Sequence, residues 1–211
     1  MRVVTVSYPD WYESFAEAAR NTMIHTFVEL ETRLAARTPI RADPTGRTEA
    51  AVAIVLTPAA DGSLDMLLMK RAEMEGDPWS GQMAFPGGRR DAADASLLDT
   101  ARRETREELG VELPEHSLLG VLDDLAPVTP TLPPVIVRPF VFGLPERSEV
   151  TLSSEVSLHV WTSLGGLPAL ARKTEIDIRG QRFLMPAYMV GDHVVWGMTH
   201  RIIKHLLDLA R

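Results

Sequence analysis

The chain has 211 residues and a formal net charge of −7, from 22 basic and 29 acidic side chains. This length suits one well-buried domain with a modest extension, and the acidic balance disfavours a general nucleic-acid-binding surface. The lack of cysteine excludes disulfides, thiolate zinc sites and a cysteine nucleophile. The apolar runs are too short to span a bilayer, and the N-terminus lacks the pattern of a secretory signal. We therefore expect a cytoplasmic protein with no membrane partner.

The first predicted element is an amphipathic helix from Tyr12 to Arg37. The exposed side of this helix is a candidate surface for homodimer formation. The stretch from Thr38 to Glu49 is rich in proline and turn formers and predicts a connector. We therefore divide the chain into an N-terminal segment, residues 1–45, and a domain, residues 46–211. The apolar residues of the helix recur at spacings of three and four; they are Phe15, Ala18, Ala19, Met23, Phe27, Leu30 and Leu34.

Short apolar, β-branched runs after the connector predict strands. The turn formers TPAADGS join the first two runs in a hairpin, and GD at Gly191 joins a late pair, QRFLMPAYMV and HVVWG. The last segment, Thr199 to Ala210, predicts a helix with Thr199 at its N-cap. This order of elements predicts an α+β fold with a mixed or antiparallel sheet. The first four runs are AAVAIVL from Ala50, DMLLMK from Asp65, LLGVLDDL from Leu118 and VIVRPFVFGL from Val135.

A central helix is predicted from Ser96 to Leu109, with Ser96 near the N-cap and Gly110 as its stop. At about 100° per residue, this helix has one packing stripe and one neighbouring acidic stripe. The packing stripe holds Leu98, Ala101, Thr105 and Leu109, and the acidic stripe holds Glu104, Glu107 and Glu108.

The acidic stripe is a candidate metal site. Glu104 and Glu108 lie one turn apart, and like charges at that spacing weaken an isolated helix. Arg103 is placed to pair with Glu107, which leaves Glu104 and Glu108 to hold a hard cation such as Mg²⁺ or Mn²⁺. The alternative is a solvated, charged helix surface.

The paired glycines upstream favour the metal site over a plain surface. Gly87 and Gly88 follow FP and let the backbone approach an ion or phosphate closely. By itself, PGG indicates an ordinary turn. The loop and the acidic helix together predict a site for a divalent ion and a phosphorylated small molecule.

These residues resemble the signature of the Nudix hydrolases, in which a glycine and a glutamate precede REUXEEXGU, where U is apolar. The second half stands here as RETREELGV, from Arg103 to Val111. Upstream, Asp94 occupies the place of the first glutamate, and eight residues instead of seven separate it from Arg103. We therefore assign Asp94 a structural or capping role within a box of about residues 87–111.

The longer spacing resembles the coenzyme A pyrophosphatase branch of that family. Four further segments are similar to that branch: LLMKRA before the box, GQMAFPGG entering it, VRPFVF after it and WGMTHRI opening the final helix. The chain departs from the branch at EMEGDPWSG, where a second arginine usually stands.

The resemblance implies a Nudix fold, in which a mixed sheet lies between helices, here with an N-terminal helical extension. It also implies hydrolysis of a nucleoside diphosphate linked to another moiety, with coenzyme A or a CoA derivative as the expected substrate. Glu104, Glu107 and Glu108 are the implied metal ligands, and Gly88 adds a backbone carbonyl.

The resemblance leaves the general base and the substrate contacts less defined. Glu155 is the first downstream candidate for the base and Glu149 the second, against a plain role as surface carboxylates. Arg71 and Trp79, with Gly87 and Gly88, are candidates for substrate binding. Each has a plain alternative as a surface ion-pair or packing residue, and for Arg138, a further candidate for phosphate contact, we favour that alternative.

Two other functions stay open from the sequence. The first is a Nudix hydrolase acting on ADP-ribose, a dinucleotide or a modified nucleoside triphosphate. The second is a non-catalytic Nudix-like module that binds a nucleotide, against which the full set of box glutamates argues.

Overall fold

The computed structural model describes residues 26–60, 62–127, 133–178 and 180–210. The helices in these ranges are α1 (Phe27–Ala35), α2 (Leu97–Leu109) and α3 (Gly197–Leu209), and two short 3₁₀ turns cover Glu115–Ser117 and Leu167–Leu170. The strands are β1 (Thr48–Pro58), β2 (Leu64–Arg71), β3 (Met83–Ala84), β4 (Gly87–Arg89), β5 (Leu118–Val121), β6 (Val135–Gly143), β7 (Val156–Ser163), β8 (Ala171–Ile178), β9 (Gln181–Val190) and β10 (His193–Val195).

The strands form two sheets. Seven strands make a sheet in the order β3-β2-β1-β6-β5, with β4 also paired to β1 and β7 to β2. Strands β1 and β6 run parallel, whereas β1 and β2 run antiparallel. Strands β8, β9 and β10 form a smaller antiparallel sheet. The predicted mixed sheet is confirmed, and so are the hairpins β1–β2 and β9–β10.

The large sheet lies between helices, because side chains alternate across its central strand. Ile54 and Leu56 of β1 belong to the apolar cluster that includes buried residues of α1 and α3. Ala53 and Val55 belong to the second cluster, which includes Ala101 and Leu109 of α2. Helix α2 is thereby packed against one face of β1, beside β4.

The predicted N-terminal helix is confirmed only at its C-terminal end, because residues 12–25 lie outside the described ranges. Helix α1 begins after Thr26, whose side chain forms a capping box with Glu29. The predicted connector is irregular as expected, but its backbone is anchored. The amide of Ile40 donates to Asp123 at 2.8 Å, and that of Ala42 donates to Asp124 at 3.1 Å.

Three details of the predicted elements were wrong. Thr199 does not cap the last helix, which begins at Gly197; its hydroxyl donates to the Met83 carbonyl at 3.0 Å. Strand β5 ends at Val121, and Leu125 beyond it makes only an isolated bridge to Val137. Strands β7 and β8 were not predicted. Within the described ranges, no helix is both long enough and apolar enough to cross a membrane.

Candidate active site

The predicted box helix has the predicted ends. The Ser96 side chain accepts a hydrogen bond from the Asp99 amide, and Gly110 ends the helix in the left-handed conformation with φ 68°. A left-handed C-terminal residue is most often glycine, because a Cβ is disfavoured there. These two residues set the ends of α2.

Gly87 occupies a position that only glycine fits. It pairs with Val52 of the central strand, and its φ is 149°. A Cβ built there would lie 2.2 Å from the Ala51 carbonyl oxygen and 2.6 Å from Val52 Cα. The backbone of the glycine loop, residues 85–89, of which Gly87–Arg89 form β4, therefore lies directly on β1.

Gly88 places its backbone against the carboxylate of Glu104. A Cβ at Gly88 would lie 2.5 Å from Glu104 Cδ and 2.6 Å from each carboxylate oxygen. A side chain at position 88 would fill this space. Because glycine leaves it empty, the Gly88 backbone and the Glu104 carboxylate lie side by side on one surface. The predicted meeting of the two halves of the box is present in the structure.

Glu108 is the buried carboxylate of this face. Its residue is 3% exposed, and its Oε2 accepts a hydrogen bond from the Gly87 amide at 2.8 Å. Burial raises the pKa of Glu108 to about 8, and the negative charges of Glu104 and Glu155 add to that rise. The Gly87 amide and the Arg71 guanidinium oppose the rise in pKa without cancelling it.

Glu104 and Glu107 differ from Glu108 in exposure. Burial raises the pKa of Glu104, while Arg103 opposes the rise and Glu107 and Glu155 add to it. Glu107 is exposed, with a side chain 54% accessible. The acidic stripe therefore changes from buried at Glu108 to solvated at Glu107.

Arg103 holds the acidic helix to the loop before it. It pairs with Glu107 at 3.0 Å, as predicted, but also with Glu104 at 2.8 Å. The expectation that the pairing of Arg103 with Glu107 leaves Glu104 free was therefore wrong. Arg103 also binds both carboxylate oxygens of Asp94, at 2.9 and 3.0 Å, and the Arg89 carbonyl at 3.2 Å.

Asp94 has contacts that suit the structural role assigned to it. Its side chain accepts hydrogen bonds from the Thr100 hydroxyl at 2.8 Å and the Asp91 amide at 2.9 Å. The hydrogen bonds from Arg103 hold the pKa of Asp94 well below its usual range, although burial acts against them. Asp94 thus closes the extended loop of the box onto α2.

Arg71 is the cation nearest to the buried glutamate. One guanidinium nitrogen lies 3.8 Å from Glu108 Oε1, while two others donate to Asp77 Oδ2 at 3.1 and 2.9 Å. Asp77 also accepts from the Trp79 amide at 3.0 Å. Asp77 was not singled out from the sequence, because no periodicity links it to Arg71. It orients Arg71 and shapes the loop that carries Trp79.

Glu155 lies at the same end of the sheet as Arg71, because it directly precedes Val156, which pairs with Arg71 in the β2–β7 register. It precedes β7, and its carbonyl accepts from the Ala72 amide at 2.8 Å. Its charge raises the pKa of both Glu104 and Glu108. The structure therefore brings Glu155 together with the box carboxylates and Arg71.

Arg138 lies in a different network. Its guanidinium donates to both oxygens of Asp124 at 2.8 and 2.9 Å, and that side chain is fully buried. The predicted ion-pair role of Arg138 is confirmed.

The donor set of the box fits a hard divalent ion. Glu104 and Glu108 supply carboxylate oxygens on one face, next to bare backbone at Gly88. Glu108 is poorly compensated, because its nearest guanidinium nitrogen is 3.8 Å away. In the described part of the chain, no three His, Asp or Glu side chains already converge at metal-binding geometry. An ion would therefore draw the carboxylates together.

Comparison with known families defines the class. The NUDIX domain model matches residues 47–179, which include β1, the glycine loop, α2 and Glu155. The chain belongs to the Nudix family, and the predicted Nudix hydrolase is confirmed.

Individual relatives agree with this family. The chain is 33% identical over 175 residues to the mitochondrial coenzyme A diphosphatase NUDT8 of Homo sapiens, covering 77% of this chain and 71% of that protein. It is 38% identical over 151 residues to an uncharacterized protein of Schizosaccharomyces pombe, covering 69% of this chain but only 42% of that relative.

Solved structures confirm the predicted fold. The crystal structure of a NUDIX hydrolase from Alicyclobacillus acidocaldarius matches with a TM-score of 0.55 and 18% sequence identity. The match covers 77% of this chain and 91% of that one. The α+β Nudix fold, with a mixed sheet between helices, is therefore confirmed.

Proposed function

We propose that this chain hydrolyses the pyrophosphate bond of a nucleoside diphosphate linked to another moiety, with coenzyme A or a CoA derivative as substrate. The observation that carries the proposal is the packing of Glu104 and Glu108 against the backbone of Gly87 and Gly88. The similarity to a human protein named a coenzyme A diphosphatase supports the choice of CoA.

Glu104, Glu107 and Glu108, together with the Gly88 carbonyl, would hold Mg²⁺ or Mn²⁺. Such an ion supplies charge neutralisation at the diphosphate and lowers the pKa of a bound water. Glu107 is exposed, and an ion would draw its carboxylate from the ion pair with Arg103 to complete the set. Arg103 keeps Glu104 and Glu107 on the same side of α2.

Glu155 serves as the general base in this proposal. Its charge raises the pKa of both Glu104 and Glu108, and it belongs to a segment outside α2. A carboxylate in that position accepts the proton of the attacking water while the oxygen bonds to phosphorus. The bond from phosphorus to the leaving phosphate oxygen then breaks, and no covalent enzyme intermediate forms.

Arg71 and Trp79 contact the substrate in this proposal, together with the glycine loop. Arg71 is pre-oriented by Asp77 and presents a guanidinium edge beside Glu108, where it binds a phosphate oxygen. Trp79 is half-buried on the same loop and offers a ring that stacks on a base. The polar backbone at Gly87 and Gly88 lets the diphosphate approach α2 closely.

A hydrolysis screen tests this function. CoA, acyl-CoA, ADP-ribose, NADH, diadenosine polyphosphate and 8-oxo-dGTP are each offered with Mg²⁺, Mn²⁺ or a chelator. The variants are Glu104→Gln and Glu108→Gln, and the matched control is Glu112→Gln, an exposed glutamate just past the helix. We expect turnover of CoA that needs the metal and falls by about 10³-fold or more in the two box variants, with no change in the control.

The outcomes separate the alternatives. If ADP-ribose, a dinucleotide or a modified triphosphate is cleaved and CoA is not, the proposed CoA substrate is rejected and the proposed hydrolase activity is retained. No turnover of any substrate, with retained nucleotide binding, would favour a binding module. Metal-independent turnover that both variants preserve would reject the metal assignment.

The remaining proposals concern the whole protein. We propose a cytoplasmic enzyme whose substrate is a small-molecule nucleotide and which has no nucleic-acid or membrane partner. Its chain consists of an N-terminal segment, residues 1–45, and a domain, residues 46–211. The human relative is named as mitochondrial. The cytoplasmic location is therefore tested by fractionating the producing cell and detecting the protein in each fraction with an antibody. The protein in an organelle fraction would reject the cytoplasmic location. A homodimer is also part of this proposal.

A further inference from the structure

Strands β8 and β9 form a long hairpin at the edge of the smaller sheet. All eight residues of β8, from Ala171 to Ile178, pair with β9 in one uninterrupted register. Strand order places β8 at the end of this sheet, and no strand in the described ranges pairs with its other side. Most β8 residues are exposed. The hairpin therefore presents a row of backbone groups for pairing with another strand.

The charges of β8 are divided between its two halves. Arg172 and Lys173 stand in the first half, and Glu175 and Asp177 stand in the second half. A strand with charges of one sign repels its own copy. This strand instead complements a copy that runs in the opposite direction, because each basic half then meets an acidic half.

We propose that a second copy of this chain docks on the outer edge of β8, so that two β8 strands pair antiparallel about a two-fold axis. The two small sheets then become one continuous sheet across the dimer. This interface is isologous, since the same strand serves on both sides. It does not depend on the proposed function of the box.

The symmetry restricts the register. Residues of an antiparallel pair lie directly opposite each other, so a two-fold axis passes midway between one residue and its own copy. With Thr174 on the axis, Lys173 faces Glu175 twice. Moving the axis to Glu175 or Lys173 instead places like charges opposite each other. The register centred on Thr174 is therefore the favoured one.

Apolar side chains support the same junction. Ile176 pairs with Phe183, and Thr174 pairs with Met185, so these four share one face of the hairpin. Phe183 is 43% exposed although it is a large apolar residue. Extending the sheet through β8 places the aliphatic part of the partner's Arg172 opposite Ile176, next to this row. Dimerisation thus covers part of an apolar surface that the hairpin leaves open.

A competing contact within the hairpin is weak. Glu175 lies 3.6 Å from Arg182, but the two side chains are 67% and 76% exposed. An ion pair that exposed contributes little. Glu175 is therefore available to a partner.

The test is sedimentation of the full chain and of two charge reversals, Lys173→Glu and Glu175→Lys. The first variant carries two acidic residues around Thr174, and the second carries two basic residues. We expect the wild type to associate to a dimer with rising concentration, and each variant alone to raise the dissociation constant at least about tenfold. An equimolar mixture of the two variants should recover the dimer, because every 173–175 contact between them joins opposite charges.

Three outcomes would overturn the proposal. A wild type that stays monomeric up to a concentration on the order of 100 μM removes the interface. Variants that each dimerise as the wild type does place the interface elsewhere, for example on the N-terminal helix. Monomeric variants that fail to associate when mixed reject the antiparallel register. Far-UV circular dichroism of each variant confirms the fold, and unchanged turnover confirms that the box is intact.

Discussion

Replacing Gly88 with alanine tests the contact on which the proposed site depends. The φ of Gly88 lies outside the left-handed region, so alanine adopts the backbone without strain. The new Cβ meets only the carboxylate end of Glu104, at 2.5 to 2.6 Å. Because the obstacle is the flexible end of a side chain, we expect the protein to fold and Glu104 to move.

The size of the effect follows from that distance. Non-bonded carbon atoms prefer separations of about 3.5 Å or more, so the Glu104 carboxylate has to withdraw by roughly 1 Å. A displacement of that size in a catalytic group costs about 10²-fold. We therefore expect kcat/KM to fall about 100-fold, or about 2.7 kcal/mol in transition-state free energy, while the melting temperature changes little.

The assay is metal-dependent release of nucleotide under initial-rate conditions, with melting followed in parallel. Glu104→Asp is the matched second change, because its shorter side chain withdraws the carboxylate from the new methyl group. The double variant should lose little more than Glu104→Asp alone, since both changes act on one contact. Wild-type turnover in Gly88→Ala, or full additivity with Glu104→Asp, would refute the reasoning. Gly87→Ala should instead prevent stable folding, because its Cβ meets the main chain of Ala51 at 2.2 Å.

Three further substitutions test neighbouring features. Asp77→Asn loosens Arg71 and should raise KM about tenfold with the melting temperature retained; an unchanged KM would contradict its orienting role. Asp124→Asn removes the charge facing Arg138 and should cost about 3 kcal/mol, or ~10 °C in melting temperature, which calorimetry would measure. Ser96→Ala removes the cap of α2 and should cost about 1 kcal/mol in urea unfolding; no change in the transition midpoint would reject that cap.

The sequence predicted best the elements defined by local patterns. Helix α2 was bounded correctly because its cap at Ser96 and its stop at Gly110 are local signals. Strand β8 was missed because its first three residues are all exposed and polar or small, and only Thr174, Ile176 and Ile178 mark its half-buried face. The parallel pairing of β1 with β6 joins distant segments, and no local pattern reports it.

The candidate site shows the same division. The meeting of Glu104 with Gly88 was predictable from the box resemblance. The link from Arg103 to Asp94 was not, because it depends on the path of the loop between them. Asp77 was missed because it acts only by orienting Arg71. A single aspartate six residues after an arginine is not a recognisable sequence pattern. Side chains that orient other side chains are the least visible part of this site from sequence.

Glu108 carries a conflict between folding and function that a substitution can expose. Its pKa is raised from 4.5 to about 8 by burial, so at pH 7 the folded protein binds a proton that the unfolded chain has lost. The stability that this protonation gives is complete below pH 4.5 and is lost as the pH rises through about 8. Glutamine mimics the protonated form and keeps the acceptor for the Gly87 amide, without the cost of binding a proton.

Glu108→Gln should therefore inactivate the enzyme and stabilise the metal-free protein. At pH 7 the gain is up to about 3 kcal/mol, or ~6–12 °C in melting temperature, and it should shrink toward zero near pH 4.5. Thermal melts in chelator across that pH range measure it, with Glu112→Gln as the exposed control. Added Mg²⁺ should raise the melting temperature of the wild type more than that of the variant, because the ion compensates the carboxylate that folding buries. A variant with the melting temperature of the wild type at both pH 7 and pH 4.5 would mean that burial of the charged Glu108 side chain does not destabilise the fold. The main reason to expect a bound cation at the acidic stripe of α2 would then be lost.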